Sequence, residues 1–330
     1  MSIQIMKSGI QDTIQDKGRV GYRHLGINKS GVMDNYACRV VNMLVGNKLN
    51  EAVIEMHFPA PTILFEKETL IALTGADFSA TLNGEEIPLN HPILVCKNSI
   101  LQFQKKMNGT VCYLAVRGGF NVSKWLKSKS TNLKVAYGGY HGRALMKGDV
   151  IKVKASGKLS REVCEKDFVI LPWQTKNFYN QNENKDIYVL KGPEWNYLTE
   201  ESKKDFVINS YSILPSSDRM GYRLSGPALS CKSENEIISS AVCFGTIQLL
   251  PDGQLIVLMA DHQTTGGYPR IAQIVTANLS KIAQKGGLEK IQFTFVDQCV
   301  AEEMLIKQER HLVQLQNACR FKLEEYFNGK

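Results

Sequence analysis

Two short segments of the chain resemble each other, and this repetition limits the possible fold more than any other feature. Residues 16–26 read DKGRVGYRHLG and residues 217–226 read SDRMGYRLSG. Each contains an aspartate, then the triplet Gly-Tyr-Arg, and then a few residues that end in glycine. Turn-then-strand units, KGDVIKV (147–153) and KGGLEKIQF (285–293), also occur once in each half. Such duplication is typical of a chain built from two related halves.

The pattern of apolar residues predicts that both halves are rich in strands. Residues 53–95 alternate apolar and polar positions, and Asn83-Gly84 is a strong hairpin signal. A second pair, Asn108-Gly109, separates SILQFQ from TVCYLAVRGG. In the second half, strand patterns occur in DIYVLKGPEW (186–195), FVINSYSI (206–213), EIISSAVCFGTIQLL (236–250), QLIVLMA (254–260) and IQFTFV (291–296).

Helical patterns are few. Asp34 is placed to cap a helix that Gly46 ends, and a second helix is predicted from Asp297 onward. Strands and helices do not alternate regularly, which argues against a doubly wound α/β fold. We therefore predict a mainly β protein of two β-barrel halves with a few short helices and a C-terminal helix. Residues 1–155 form the first half, the polar residues 156–185 a linker or excursion, and 186–330 the second half.

Composition excludes several classes of protein. The hydrophobic content of 43% and charged content of 22% are those of a globular chain. The formal charge of +8 comes from scattered Lys and Arg residues, so no nucleic-acid partner is expected. No segment is long and apolar enough for a signal peptide or a membrane span, which predicts a cytoplasmic protein without membrane contact. The eight cysteines include no C-x-x-C pair and the histidines are dispersed, so no metal site is predicted.

Common catalytic motifs are absent from the sequence. Gly21 and Gly26 have the spacing of a phosphate-binding loop, but Ile27 and Asn28 stand where Lys and Ser or Thr are required. No G-x-S-x-G elbow occurs. The chain therefore does not resemble a self-sufficient ATPase or hydrolase of a common type.

The segment ADHQTTGGYPRIA (260–272) contains more titratable and hydrogen-bonding side chains than a surface turn requires. We predict that four of its residues are catalytic, namely Asp261, His262, Gln263 and Thr264. We predict that the next four bind substrate where glycine lets the backbone approach a ligand, namely Thr265, Gly266, Gly267 and Tyr268. The alternative is a β-bulge whose side chains satisfy their own backbone.

The loop GYRHLGINKSGVMD (21–34) has a similar character and ends at a helix N-terminus, which attracts anions. Arg23 and Ser30 are predicted to bind substrate, and so is Arg223 in the second copy of the repeat. This loop and the 260–272 segment are expected to face a shared cleft. Two alternatives remain open: Asp34 only caps its helix, and Arg223 pairs with Asp218 inside its own turn.

Four stretches carry a resemblance to a known family: DTIQDKGRVGYRHLG (12–26), SGVMD (30–34), SDRMGYRLSGP (217–227) and GTIQLLPDGQLIVLMADHQTTGGYPRIA (245–272). They closely resemble the allophanate hydrolase subunit 2 family, also called the A/B carboxyltransferase domain. The stretches stand in the family's order and span nearly the whole chain. One departure is Ile27-Asn28, where the family commonly has Val-Pro.

The resemblance implies two cyclophilin-like β-barrel halves and a partner, the B-type (allophanate hydrolase subunit 1-like) protein. It implies a role as the C-type component in ATP-dependent opening of 5-oxo-L-proline to L-glutamate, with A-type and B-type proteins and with ATP bound through the complex. The substrate is then a small anionic lactam. Two alternatives are the carboxyltransferase component of a biotin-dependent, urea carboxylase-like enzyme, and a regulatory protein that antagonises a histidine-kinase inhibitor. Fold and family alone do not choose among them.

Overall fold

A computed structural model describes residues 2–155, 167–176, 186–233 and 237–328. Most of the predicted linker, residues 156–166 and 177–185, lies outside this described part. The chain divides into two compact units. The first comprises the described residues of Met1–Arg19, Asp34–Phe178 and Arg310–Lys330, and the second those of Val20–Met33 and Tyr179–Glu309.

The described part is mainly β. Its strands, in chain order, are β1 (Ser2–Lys7), β2 (Thr13–Gln15), β3 (Val53–Met56), β4 (Thr62–Phe65), β5 (Thr69–Asp77), β6 (Ala80–Leu82), β7 (Glu85–Glu86), β8 (Pro92–Val95), β9 (Ile100–Phe103), β10 (Asn108–Val116), β11 (Val150–Lys152), β12 (Phe168–Ile170), β13 (Asp186–Lys191), β14 (Ser210–Ile213), β15 (Gly221–Ser225), β16 (Ser240–Ala241), β17 (Thr246–Leu249), β18 (Leu255–Leu258), β19 (Thr265–Gly266), β20 (Arg270–Ile274) and β21 (Lys290–Phe295). The α-helices are α1 (Asn35–Leu44), α2 (Glu200–Ile208), α3 (Leu279–Ala283) and α4 (Gln298–Asn328).

The first unit is built from two six-stranded sheets. One has the order β11-β1-β4-β9-β6-β7 and the other β12-β8-β5-β10-β3-β2. Their apolar side chains form one core that includes Ile3 and Phe65 from one sheet and Ile71 and Leu114 from the other. Because strand side chains alternate between faces, β4 has buried and half-buried positions in turn. Strands β3 and β8 are instead buried at every position, and helix α1 packs against β5 and β10 of the same sheet.

The Asn83-Gly84 turn and the helix signals at Asp34 and Gly46 are confirmed in this unit. Asn83 and Gly84 adopt φ of 51° and 90° between β6 and β7, the left-handed values that a two-residue hairpin requires. The Asp34 carboxylate accepts a hydrogen bond from Ala37 N at 2.9 Å and thereby caps α1. Gly46, with φ of 72°, follows the last turn of this helix.

Two features of the first unit differ from the sequence-based expectation. Asn108 and Gly109 belong to β10, whose register shifts between Asn108 and Cys112, so this pair forms an irregularity inside a strand. Strands β9 and β10 lie in different sheets. In the predicted linker, residues 168–170 form β12 and pair with β8 in register Val169 to Leu94. We missed this strand because the segment 156–185 is polar as a whole.

The second unit is a closed barrel of order β13-β20-β17-β18-β15-β14-β21. Parallel pairing of β13 with β21 closes it. Buried side chains from its strands include Ile187, Leu224 and Val257. Residues 206–208, predicted as strand, instead end α2, because Thr199 caps that helix and Phe206 stacks on the barrel residue Phe293 at 5.0 Å.

The mainly β fold with a few helices and a C-terminal helix is confirmed. The Asp297 carboxylate accepts from Val300 N at the start of α4, as the sequence indicated. None of the described helices has the length and apolar character needed to cross a bilayer. Segment 20–33 groups with the second unit and segment 310–330 with the first. The division at 1–155 and 186–330 therefore remains a prediction.

Candidate functional site

The polar segment after β18 is fixed by a buried ion pair. Arg219 Nε donates to Asp261 Oδ2 at 2.9 Å, and Arg219 Nη2 donates to Asp261 Oδ1 at 3.3 Å. Their side chains are only 5% and 8% exposed. Asp261 N also donates to the Arg219 carbonyl at 2.7 Å. Because a guanidinium matches a carboxylate in two places at once, this pair sets both the position and the orientation of the segment.

The loop 20–33 is attached to the same ion pair. Ser30 Oγ donates to Asp261 Oδ1, and Arg219 Nη2 donates to the Gly31 carbonyl. Asn28 Nδ2 donates to the Asp261 carbonyl at 3.1 Å. The structure thus brings together the two loops that the sequence predicted to face each other.

These contacts define what Asp261 does in the folded chain. Both carboxylate oxygens accept hydrogen bonds from buried donors, and the guanidinium beside them supplies the counter-charge. Removal of one partner from a buried ion pair costs about 3–5 kcal/mol because it leaves a charge uncompensated. Asp261 is therefore a strong structural anchor.

His262 is placed as a neutral imidazole. Its side chain is buried, and Nδ1 lies 2.5 Å from the Gln263 carbonyl. A carbonyl only accepts hydrogen bonds, so Nδ1 carries the proton and Nε2 keeps a free lone pair. Burial lowers the pKa of His262 below its ordinary value, and the positive charges of Arg23 and Lys29 lower it further. An imidazole of this kind can accept a proton near neutral pH.

Arg23 lies at the edge of this arrangement. It begins a short 3-10 helix, Arg23–Leu25, which ends at Gly26 with φ of 75°. Its Nη2 reaches the Thr264 carbonyl at 3.4 Å, a long contact that leaves most of the guanidinium donors available. The side chain is half-buried. It therefore supplies positive charge beside His262.

The glycine turn is packed against two glutamine amides. A Cβ at Gly266 would lie 2.9 Å from Gln248 Nε2 and 3.3 Å from Gln263 Nε2. Gln248 Nε2 donates to the Tyr268 carbonyl at 3.1 Å, and no partner of its buried Oε1 is found in the described residues. Pairing of β19 with β16 fixes the other side of the turn. A side chain at this position would therefore have to displace the Gln248 amide.

The remaining predicted residues lie at different places. Thr265 and Tyr268 are exposed, and a Cβ at Gly267 would meet Ser239 Oγ at 3.2 Å. Arg223 is exposed on β15, and the described contacts of this residue involve only its backbone. The Asp218 carboxylate accepts from the N–H groups of Met220 and Gly221, so that carboxylate caps its own turn.

Three residues of the site were missed from the sequence: Arg219, Gln248 and Glu194. Glu194 forms a bidentate pair with Arg270, with Nη2–Oε1 of 2.6 Å and Nε–Oε2 of 2.9 Å. A signal for Arg219 was available, because both copies of the repeat read Arg-x-Gly-Tyr-Arg. Gln248 and Glu194 have no comparable signal. Among the described residues, no group of His, Cys, Asp or Glu could hold a metal ion.

The family comparison, together with the barrel fold, places the chain in the class of carboxyltransferase-type domains. The chain belongs to the family of the carboxyltransferase domain, subdomain A and B, which matches residues 25–295. The chain is 36% identical to the C subunit of 5-oxoprolinase from Escherichia coli (strain K12) over 304 residues, 92% of this chain and 93% of the relative. It is 34% identical to the C subunit of 5-oxoprolinase from Haemophilus influenzae over 313 residues, 95% of this chain and 97% of the relative.

A solved structure extends the comparison. The K. lactis urea amidolyase matches 95% of this chain with 29% identity and a TM-score of 0.84. The match covers 20% of that much longer protein.

Proposed function

We propose that this chain is the C-type component of an ATP-dependent 5-oxoprolinase that opens 5-oxo-L-proline to L-glutamate together with A-type and B-type proteins. The observation that carries the proposal is the anchored loop pair, in which Arg219, Asp261 and Ser30 hold a neutral histidine beside Arg23. The two relatives named as the C subunit of 5-oxoprolinase support it, since each aligns over more than nine-tenths of both chains.

The substrate fits the chemistry of this loop pair. 5-Oxoproline is a small anion with a planar lactam, so it needs a cation for its carboxylate and hydrogen-bond donors for its ring carbonyl. Arg23 supplies the cation. Gln263, Thr264 and the backbone of the Gly266–Gly267 turn supply donors, and removal of one well-aimed donor to an oxyanion costs roughly 3 kcal/mol. The exposed residues Thr265 and Tyr268 form the outer wall.

The reaction divides the work between this chain and its partners. The γ-phosphoryl group of ATP is transferred to the lactam oxygen, ADP leaves, and a water molecule adds to the activated carbon. The C–N bond then breaks and the nitrogen takes a proton, which leaves an acyl phosphate of glutamate. A second water molecule hydrolyses this acyl phosphate to glutamate and phosphate. His262 Nε2 takes the proton of the attacking water, and Asp261 positions the loop through Arg219. ATP is bound through the complex.

The test is reconstitution with the A-type and B-type proteins from the same source. We expect the three proteins to co-elute in size exclusion and to release ADP, phosphate and glutamate in equal amounts when 5-oxoproline is present. His262→Gln should lower turnover about 10²–10⁴-fold, the usual contribution of a proton-transfer group. Arg23→Lys should raise the KM for 5-oxoproline, whereas Arg223→Lys, on an exposed strand position, should leave it unchanged.

A second candidate is the carboxyltransferase component of a biotin-dependent, urea carboxylase-like enzyme. The similarity to the K. lactis urea amidolyase supports it. Urea is also a small planar amide, so the Gln263 and Gln248 amides suit it, but it has no carboxylate for Arg23 to bind. Activity with urea and a biotin carboxylase, without activity on 5-oxoproline, would replace the first proposal by the second. Co-elution without turnover on either substrate would instead favour a regulatory role.

A further inference from the structure

Gln248 is a polar residue in a buried strand of the second unit. Every position of β17 is buried, and the neighbours Ile247 and Leu249 are apolar. Gln248 itself is only 1% exposed. The pairing of β17 with β20 shifts its register between Ile247 and Gln248, where Gln248 lies opposite Arg270. Such irregularities change the direction of a side chain and are frequent beside functional sites.

One end of the Gln248 amide is fixed by a hydrogen bond, and the other end is an unused acceptor. Nε2 donates to the Tyr268 carbonyl at 3.1 Å. Because a carbonyl only accepts hydrogen bonds, this contact decides which atom of the amide is the nitrogen. The remaining atom, Oε1, is buried and has no partner among the described residues. Since buried polar atoms are nearly always paired, this acceptor calls for a donor from outside the chain.

The unused acceptor lies beside the space that Gly266 leaves open by having no side chain. The point that a Cβ of Gly266 would occupy is 2.9 Å from Gln248 Nε2, 3.5 Å from its Oε1 and 3.3 Å from Gln263 Nε2. Gln263 is half-buried, and in the described part of the chain its amide has no hydrogen-bond partner. The Gln263 amide is therefore able to move and admit a ligand, and it adds a donor beside the acceptor.

A donor and an acceptor side by side match one edge of a cyclic amide. A small ring forces its amide into the cis form, so the N–H and the carbonyl oxygen lie on the same side. An open-chain secondary amide is trans and presents these two groups on opposite sides. A lactone has a ring oxygen in place of the N–H, so it would bring an acceptor against the buried Gln248 Oε1 and leave that atom unpaired.

We propose that Gln248 determines specificity for cyclic secondary amides: its Oε1 accepts the ring N–H while Gln263 Nε2 donates to the ring carbonyl. This inference rests on the proposed function, in which the ring is that of 5-oxoproline and Arg23 binds its carboxylate. All three residues belong to the second unit. The hydrogen bond from the N–H also moves electron density towards the lactam oxygen, the atom that is phosphorylated in the proposed reaction. The site accepts lactams with a free N–H and rejects lactones and N-alkylated lactams.

The experiment is a calorimetric titration without ATP, so that binding is measured and no bond is broken. The full chain is titrated alone and in the reconstituted complex. The ligands are 5-oxo-L-proline, its lactone analogue 5-oxotetrahydrofuran-2-carboxylate, and N-methyl-5-oxoproline. All three have a carboxylate and a ring carbonyl, but only the first has the N–H. We expect the lactone and the N-methyl lactam to bind at least about tenfold more weakly than 5-oxoproline, because each leaves a buried acceptor unpaired.

Three glutamine variants separate the roles. Gln248→Met removes the acceptor with little change in volume, so it should weaken 5-oxoproline binding about tenfold or more and change lactone binding less than about threefold. Gln263→Met should weaken both ligands by the same factor, because both have the ring carbonyl. The control is Gln292→Met on β21, where the amide donates to the Val207 carbonyl at 3.1 Å; it should bind both ligands like the wild-type chain. Selectivity is the ratio of two affinities from one preparation, so a smaller folded fraction does not alter it.

Equal affinity of the wild-type protein for 5-oxoproline and the lactone would overturn this inference, and so would undiminished selectivity in Gln248→Met. If the complex nevertheless turns over 5-oxoproline, the proposed function stands and only the role of Gln248 is wrong. Selective lactam binding that Gln248→Met abolishes, without turnover by the wild-type complex, would support the inference and remove the proposed function. Absence of 5-oxoproline binding to both the chain and the complex would overturn the inference as well.

Discussion

Substitution of Arg219 by methionine tests the anchored loop pair most directly. Methionine keeps much of the apolar bulk but removes both hydrogen bonds to Asp261 and the one to the Gly31 carbonyl. Asp261 then remains buried without its counter-charge, and Ser30 is the one side-chain donor to its carboxylate that is left among the described contacts. Loss of one member of a buried pair costs about 3–5 kcal/mol, so we expect Arg219→Met to lower the unfolding free energy of the second unit by roughly 4 kcal/mol.

The matched control lies four residues further in the same motif. Arg223 is exposed, and its described contacts are made by its backbone, so Arg223→Met should change stability by no more than about 0.5 kcal/mol. Asp261→Asn should be costly, since it leaves the buried guanidinium without its counter-charge. The double variant Arg219→Met/Asp261→Asn should cost less than the sum of the two single changes, by about 1 kcal/mol or more.

Hydrogen exchange followed by mass spectrometry provides the measurement. Peptides from strands β13 to β21 report the opening of the second unit, and peptides covering residues 28–34 and 259–266 report the loops themselves. In Arg219→Met, the loop peptides should lose protection from hydrogen exchange before the peptides from the barrel strands do. If the barrel is equally protected in Arg219→Met and Arg223→Met, or if the single effects simply add, then the pair does not hold the site and the assignment of Asp261 to positioning is wrong.

The remaining predictions concern the glycine turn, the histidine and a buried carboxyl group of the first unit. Gly266→Ala should displace the Gln248 amide, 2.9 Å from the new Cβ, and lower complex turnover at least tenfold; Gly267→Ala, with its nearest neighbour at 3.2 Å, should have a smaller effect. The pKa of His262 is lowered by burial, so its neutral form stabilises the fold above about pH 6.5 and stability falls as the pH drops below that value. Between about pH 7.5 and pH 5.5, the free energy of unfolding in urea should fall less for His262→Gln than for the wild-type chain. Burial raises the pKa of Asp12 to about 7, so the stability of the fold is lost as the pH rises from about 4 to 7. Asp12→Asn should therefore stabilise the chain by roughly 2–4 kcal/mol at about pH 8 and have little effect near pH 4. Equal effects of Asp12→Asn at both pH values would contradict this reasoning.

Much of the fold was predictable because its signals are local. Asn83-Gly84 forms its hairpin and Asp34 caps α1, since each depends on backbone conformation within a few residues. The strand pattern and the final helix follow from the spacing of apolar residues. Local signals failed where packing decided the outcome. Residues 206–208 have the composition of a strand but end a helix, because Phe206 is buried against Phe293.

The sequence by itself also indicated where the polar loops are, but not what their charged residues do. Asp261 and Ser30 are 231 positions apart in the chain, and Asp261 and Arg219 are 42 apart. Whether a carboxylate binds substrate or an arginine depends on which donors the fold brings within about 3 Å of it, and no local pattern encodes that distance. The tertiary structure therefore decided that Arg219 rather than Arg223 anchors the site, and that Arg270 pairs with Glu194.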